Sequence, residues 1–411
     1  MRIAYVCCDR GIPVFGCKGC SVHVQEVLRE FIRRGAEVDL FATRLGGNPP
    51  EDLRKIQVHT IELAKSGDAD AREAALLAAN DTVTKALEKC GPYDLVYERY
   101  SLCSYAAMEH ARDRNIPGLL ETNSPLIEEQ ARYRTLADRS RAEQATRRAM
   151  SAAGAVLVVS QTVADYVSRH RQTSAEVHVL PNGVDTDRFH GDPKSALSPQ
   201  QSGFTVGFVG TLKPWHGVSS LVEAFGMLSA EESSARLLIV GQGPERERLE
   251  RQAAELPAGI GANIRFTGAV QPAEIPALLR SIDVAVAPYL PQENFYFSPL
   301  KLFEYMAAGI PTVASEIGQI PQIIQHGKTG LLYPPGNTPA LAQALLKLCQ
   351  QPRTRVQIGN AARALAIRQF TWKAVVTRIL EIAKGLRSRG PAIAQPHFQL
   401  HAVSPEKRPT Y

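Results

Sequence analysis

Thr205-Val-Gly-Phe-Val-Gly-Thr-Leu-Lys-Pro-Trp-His-Gly217 decides the fold. A short apolar run ends in a glycine turn, and a helical period opens just after it. The same pattern has already occurred once, at Ile3–Val6 followed by a helix from Ser21 that carries Val24, Val27, Leu28, Phe31 and Ile32 inward and stops at Gly35. So the chain starts one α/β unit at its N-terminus and a second near residue 205. Glu37–Ala42, Asp94–Tyr97, Gly118–Glu121 and Ala155–Val159 continue the first series of strands; Arg236–Val240, Ile264–Phe266, Val284–Ala287 and Thr312–Ala314 continue the second. Apolar runs that alternate with amphipathic helices predict right-handed βαβ units and parallel, doubly wound sheets.

The boundaries follow. Residues 1–185 form a first Rossmann-like domain, 186–203 a Ser/Pro/Gln-rich linker and 204–370 a second Rossmann-like domain. Residues 371–388 are a last helix, with Val375, Ile379, Leu380 and Ile382 inward, that packs back on the first domain. Residues 389–411 have no period and read as a disordered tail. A length of 411 residues suits two domains. Open α/β sheets bind ligands beyond the carboxyl ends of their strands, so two facing sheets make a cleft with one ligand on each side.

Composition excludes more than it assigns. The chain is 44% hydrophobic and 21% charged, a globular balance, and its net charge of +6 is mild. No basic-aromatic module accompanies the excess, so no nucleic-acid partner is expected. An anionic ligand or peripheral contact with an acidic membrane surface suits it better. No apolar run is long enough to span a bilayer, and the N-terminus reads as a strand, not a signal peptide. The expectation is a cytoplasmic protein, with the inner membrane face as a working place, and with its seven cysteines reduced. Cys7, Cys8, Cys17 and Cys20 crowd the N-terminus, but no second pair at zinc spacing follows, so no metal site is expected.

The chemistry centres on Ser298-Pro-Leu-Lys-Leu-Phe-Glu-Tyr-Met-Ala-Ala-Gly309. Ser298 reads as an N-cap and Pro299 as the first helical residue, with Leu300, Phe303, Met306 and Ala307 as the buried stripe and Gly309 as the stop. A helix N-terminus favours phosphate, and Lys301 in the first turn makes sense when an anion arrives. Glu304, one turn on, is placed for ribose hydroxyls. An ordinary capped helix with a surface Lys–Glu pair is the alternative.

This segment resembles the carboxylate motif of retaining glycosyltransferases of family four, which have the GT-B fold. Other pieces fall in that family's order: Gly16-Cys-Lys-Gly-Cys-Ser-Val-His23, Leu180-Pro-Asn-Gly-Val-Asp185 with Phe189, Phe208–Gly217, Val240-Gly-Gln-Gly-Pro244, Phe266-Thr-Gly-Ala-Val270, and Ile317–Pro334. The resemblance spans about residues 1–385. It implies transfer of a hexose from a nucleotide-diphosphate sugar to an acceptor hydroxyl with retention of configuration, the leaving phosphate helping to deprotonate the acceptor. It implies no required cofactor.

The catalytic candidates are Lys301 and, in place of the family's usual cations, Lys213 for the diphosphate, with Glu121 or Asn123 facing the transferred sugar. Gly19, Ser21, Gly210, Thr211, His216, Gly241, Val270, Tyr296, Ser298, Pro299, Leu300 and Glu304 are the donor-binding candidates. His23, Glu98 and Arg99 are each as readily structural as functional. Three departures stand out. Tyr296 occupies the first glutamate position of the motif, with Glu293 displaced from it. Thr211 and His216 replace the family's usual Arg and Lys. Glu121-Thr-Asn123 stands where the family often has a histidine.

A hydrolase would need two carboxylates flanking the scissile bond, and no convincing pair is apparent. Two alternatives remain: a nucleotide-sugar epimerase and a non-catalytic sugar-nucleotide-binding subunit. The arginine-rich stretch Arg132–Arg148 reads as a single helix with a solvated face, or as a site for an anionic acceptor or membrane surface.

Overall fold

The computed structural model describes residues 1–64, 67–170, 175–189, 203–257 and 259–388. Most of the expected linker and all of the expected tail lie outside the described residues. Two parallel sheets organise the chain. The first contains β1 (Arg2–Cys7), β2 (Glu37–Ala42), β3 (Gln57–Thr60), β4 (Leu95–Arg99), β5 (Gly118–Thr122), β6 (Ala155–Val158) and β7 (Glu176–Val179), in the order β3-β2-β1-β4-β5-β6-β7. The second contains β8 (Thr205–Val209), β9 (Arg236–Val240), β10 (Ile264–Gly268), β11 (Val284–Ala287), β12 (Thr312–Ser315) and β13 (Leu331–Tyr333), in the order β10-β9-β8-β11-β12-β13.

Central strands are apolar because helices cover both faces. Every residue of β4, β5, β6, β11 and β12 is buried. Each strand order reverses next to its first strand, between β1 and β4 and between β8 and β11. The crevice of a doubly wound sheet opens at such a switch point. The segments leaving β1 and β8 therefore carry the positions that matter for ligands.

The last helix, Trp372–Ser388, returns to the first domain and packs on helix Gly19–Arg33. Its buried face is Trp372, Val376, Ile379, Ile382 and Ala383, with Val375 and Leu380 half-buried at its margins. The expected face is thus rotated, because the ring of Trp372 anchors the first turn beside His23 at a centroid distance of 4.8 Å. The stretch 132–148 is not one helix. It divides into Leu126–Tyr133 and Arg139–Ala152, and the Asp138 carboxylate accepts the Arg141 N–H at 2.9 Å to start the second.

Candidate active site

Helix Leu300–Ala307 leaves the loop after β11, and two details of its start differ from expectation. Pro299 precedes the first turn, and the Ser298 side chain does not cap the helix. The Ser298 hydroxyl instead accepts the backbone N–H of Asn182 at 3.0 Å, and the Asn182 amide donates to the Ser298 carbonyl at 2.6 Å. The Asn182 side-chain oxygen meets His23 Nδ1 at 2.8 Å. All three side chains are buried, so an unmade bond would cost the full desolvation of the group. This chain of contacts fixes the start of the helix against the first domain. Leu302 and Tyr305 are fully buried besides Phe303, Met306 and Ala307, whereas Leu300 leans on the apolar cluster of the first domain. The helix is wrapped nearly all round because it sits between the second sheet and the first domain.

Lys301 is the side chain this packing isolates. Its Nζ is buried without a hydrogen-bond partner. It lies 4.2 Å from the ring centroid of Phe208 and 5.3 Å from that of Tyr289. Burial pulls the ammonium down to about 7 against the opposing pull of Glu304. Gly210 makes the room: a Cβ there would lie 2.9 Å from the Lys301 Nζ, and its φ of +150° favours glycine. Gly210, Thr211, Lys213 and His216 follow β8, and Gly241 follows β9. The Gly210 N–H bonds the Val240 carbonyl at 2.9 Å and the Gly241 N–H bonds that of Gly268 at 3.0 Å. His216 holds Nδ1 against the Thr211 carbonyl at 2.5 Å. Burial first, then the charge of Lys301, push His216 down to about 3, so the ring is neutral. Val270, after β10, packs on the apolar cluster beneath. Burial raises the Glu304 carboxyl, with Arg188 and Lys301 pulling the other way.

A cavity of about 960 Å³ lies between the domains. Cys8 and Asp9 beyond β1 and Lys213 and Trp215 beyond β8 share its walls, so the two switch points face each other. Tyr296 lines it too. Its carbonyl accepts the Ser160 hydroxyl at 2.9 Å, and its own hydroxyl donates to Glu129, a residue of helix Leu126–Tyr133 in the first domain.

Of the sequence candidates, Lys213 and Tyr296 line this cavity; Lys301 and the other candidates of the β8 and β9 turns lie behind its second-domain wall, and Glu121 and Asn123 are not part of it either. Glu121 is buried in a closed cluster, paired with His23 and 3.5 Å from Arg99, and the Asn123 amide donates to it at 3.5 Å. Burial alone would raise its carboxyl, but His23 and Arg99 outweigh that and hold it at about 2. Glu98 lies apart, with the Ser104 hydroxyl donating to it at 2.5 Å; burial pushes it up to about 7. Gly19 comes against Leu300, and Ser21 is fully buried with its hydroxyl unpartnered. Among the described residues no group of three or more His, Cys, Asp or Glu is placed to hold a metal ion, and no helix is long and apolar enough to cross a membrane.

The arginines of helix Arg139–Ala152 have partners: Arg139 and Arg147 with Glu143, Arg141 with Asp70 and Asp138, and Arg148 with Glu109. Glu129 and Asn182 belong to the site's frame but were not among the sequence candidates. Asn182 sat inside a quoted motif; nothing local marked Glu129.

Two sheets that face each other across a ligand-sized cavity, with an unpaired cation beneath the second, define a two-domain α/β protein with a cleft between its domains. Comparison with known proteins gives the family. Residues 18–188 match the model described as Glycosyltransferase Family 4, and residues 203–351 match the model described as Glycosyl transferases group 1. The chain belongs to this glycosyltransferase family, which sets the epimerase alternative aside. Its relatives include phosphatidyl-myo-inositol mannosyltransferase of Mycobacterium leprae, 35% identical over 52% of this chain and 55% of that protein. They also include D-inositol 3-phosphate glycosyltransferase of Jonesia denitrificans, 27% identical over 90% of this chain and 91% of that protein. The chain thus spans little more than half the length of the first of these. Among solved structures, sucrose-phosphate synthase of Thermosynechococcus elongatus superposes with a TM-score of 0.75 at 20% identity, covering 95% of this chain and 100% of that one. The Anabaena protein HepE bound to UDP superposes with a TM-score of 0.68 at 20% identity, covering 94% and 100%. These similarities give the GT-B fold.

Proposed function

We propose that the chain transfers a hexose from a nucleotide-diphosphate sugar to an acceptor hydroxyl, with retention of configuration, in the synthesis of a glycolipid, polysaccharide or glycosylated metabolite. The observation that carries this reading is Lys301. It is a buried ammonium without a hydrogen-bond partner, over the glycine turn that ends β8, beside a histidine held neutral. Such a cation is costly until an anion pairs with it.

In this reading the second domain holds the donor and the first the acceptor. The bond between the sugar's anomeric carbon and the diphosphate oxygen breaks through an oxocarbenium-like state, and negative charge collects on the diphosphate. Lys301, Lys213 and the amides of Leu300 and Lys301 meet that charge as it develops. His216 and Thr211, with Gly210 and Gly241, shape the floor where the phosphates lie. Glu304 takes the ribose hydroxyls, Val270 the base, and Tyr296 the sugar side of the cavity. Glu121 and Asn123 act from behind: with His23 and Asn182 they set the position of the Ser298–Pro299 turn. The work takes place in the cytoplasm, with the inner membrane face as the site when the acceptor is a lipid.

A panel of UDP and GDP sugars, read by thermal unfolding and by release of nucleoside diphosphate, tests the proposal. A matching donor should raise the melting temperature, since a ligand at 100 times its Kd adds about 2.7 kcal/mol. Lys301→Ala should abolish both effects. Full turnover in that variant would refute the diphosphate role.

A further inference from the structure

The walls of the cavity between the domains differ in how their charges are used. Three carboxylates line it, and each is already engaged. The two oxygens of Glu73 accept the N–H groups of Ala137 at 2.7 Å and Asp138 at 3.0 Å. Asp9 accepts the Gly11 N–H at 2.7 Å, and Glu129 accepts the Tyr296 hydroxyl. Burial also raises the Glu129 carboxyl, against the Tyr296 hydroxyl.

Three arginines of the first domain, Arg10, Arg72 and Arg134, line the same cavity, and none of them is in an ion pair among the described residues. Arg134 acts on Glu129 only through space. The contrast is with helix Arg139–Ala152 close by, where Arg139, Arg141, Arg147 and Arg148 all have carboxylates. Of the two arginines that precede this helix, Arg134 enters the cavity without a carboxylate, and Arg132, outside the cavity wall, lies over the Tyr133 ring at 5.4 Å.

A concave wall concentrates the field of such charges. A guanidinium offers a planar pair of N–H donors matched to two phosphate oxygens. A neutral acceptor rich in hydroxyls offers no such matched pair of anionic oxygens.

We propose that the acceptor carries a phosphate, and that Arg10, Arg72 and Arg134 bind it on the first-domain wall, opposite the donor. This rests on the transferase reading, and it names the acceptor class that reading leaves open. Lys213, on the second-domain wall, remains with the donor diphosphate, as does Lys301 behind it, so the two anions sit on different domains.

The test is calorimetric titration of the full chain, saturated with UDP or GDP. The free probes are inositol monophosphate and glucose 6-phosphate, with inositol and glucose as neutral controls. A second arm uses vesicles of phosphatidylinositol against vesicles of phosphatidylcholine. Phosphate-bearing probes should bind at least tenfold more tightly than neutral ones. Binding of the free probes identifies a soluble phosphate, and binding of phosphatidylinositol vesicles alone identifies a lipid headgroup; both support the proposal. The triple variant Arg10→Gln, Arg72→Gln, Arg134→Gln should lose at least tenfold while keeping the thermal stabilisation by nucleotide. Arg148→Gln should lose nothing. Equal or absent binding of phosphorylated and neutral probes overturns the proposal, as does a triple variant that keeps the preference. Failure of UDP and GDP sugars to stabilise the wild type speaks against the transferase reading instead, and thermal unfolding reads that separately.

Discussion

Gly210 and Lys301 share one space: the Cβ that any other residue would place at 210 lies 2.9 Å from the lysine Nζ. The turn after β8 and the helix after β11 are therefore matched through a missing methyl group. Gly210→Ala must push the ammonium off the Phe208 ring, and its φ of +150° adds strain of about 1–3 kcal/mol. Transfer should fall by about 10²-fold, the scale of a displaced oxyanion donor. Gly207→Ala is no control, because its Cβ would meet Ile282; Gly385→Ala, with open space around it, is. The measurement is kcat/KM for the stabilising donor.

The pH dependence follows from Lys301. Burial holds its folded pKa at about 7, below the ordinary value of about 10.4. Between those values the unfolded chain binds more protons, so this group makes stability rise with pH across the window. A diphosphate placed beside Nζ favours the charged form and raises the pKa. Nucleoside diphosphate binding should thus take up a proton near pH 8, and it should weaken as pH rises above about 7. Calorimetry in buffers of different ionisation enthalpy reads the uptake. Lys301→Met should abolish it, and a proton count of zero in the wild type would exclude the assignment.

Much of this was legible in the residues. Nine of the ten strands read from apolar runs are interior to their sheets, where helices bury both faces; the tenth, β10, is an edge strand with only Gly268 buried. The three that escaped, β3, β7 and β13, are all edge strands of three or four residues. Gln57-Val-His-Thr60 and Glu176-Val-His-Val179 have no continuous apolar run because no second neighbour covers them. The local setting of Gly210, Lys301 and Glu304 was legible because all three sit in strand–turn–helix units. What spans the domains was not: His23 and Asn182 are 159 residues apart, Asn182 and Ser298 116, and Glu129 and Tyr296 167. Ser298 read as a cap because its local sequence allows one, and the competing partner, Asn182, comes from another part of the chain.

Tyr296 illustrates the same point chemically. A carboxylate at 296 is what the family's motif has, yet here it would face Glu129, whose carboxyl already takes the Tyr296 hydroxyl. Two carboxylates at that distance repel, and one must take up a proton. Tyr296→Glu should therefore destabilise the protein and raise KM for the donor. Adding Glu129→Gln should recover most of both losses. The coupling in this double-mutant cycle should exceed about 1 kcal/mol. Additive losses would show that Tyr296 and Glu129 act independently.

The buried cluster of Glu121, His23 and Arg99 gives a stability prediction with a defined pH window. Glu121 titrates at about 2 in the folded chain, against burial, because His23 and Arg99 outweigh desolvation. An unfolded glutamate titrates at about 4.3. A depressed carboxylate contributes stability that is fully present above the unfolded value and is lost as pH falls from there through the folded one. Glu121→Gln leaves Arg99 buried without its carboxylate, a change that costs about 3–5 kcal/mol in comparable pairs. Denaturant unfolding at pH 7 should show that deficit in full. At pH 3.5 the deficit should shrink, because the wild type has begun to lose the same contribution. His23 also touches Asn182 and, through it, the Ser298 turn, so the variant should lower donor affinity at pH 7 although residue 121 lies away from the cavity. A Glu121→Gln protein with unchanged stability at pH 7 would remove the ion pair from the account of how the domains are held. One with lost stability and unchanged donor affinity would confine the cluster to the first domain.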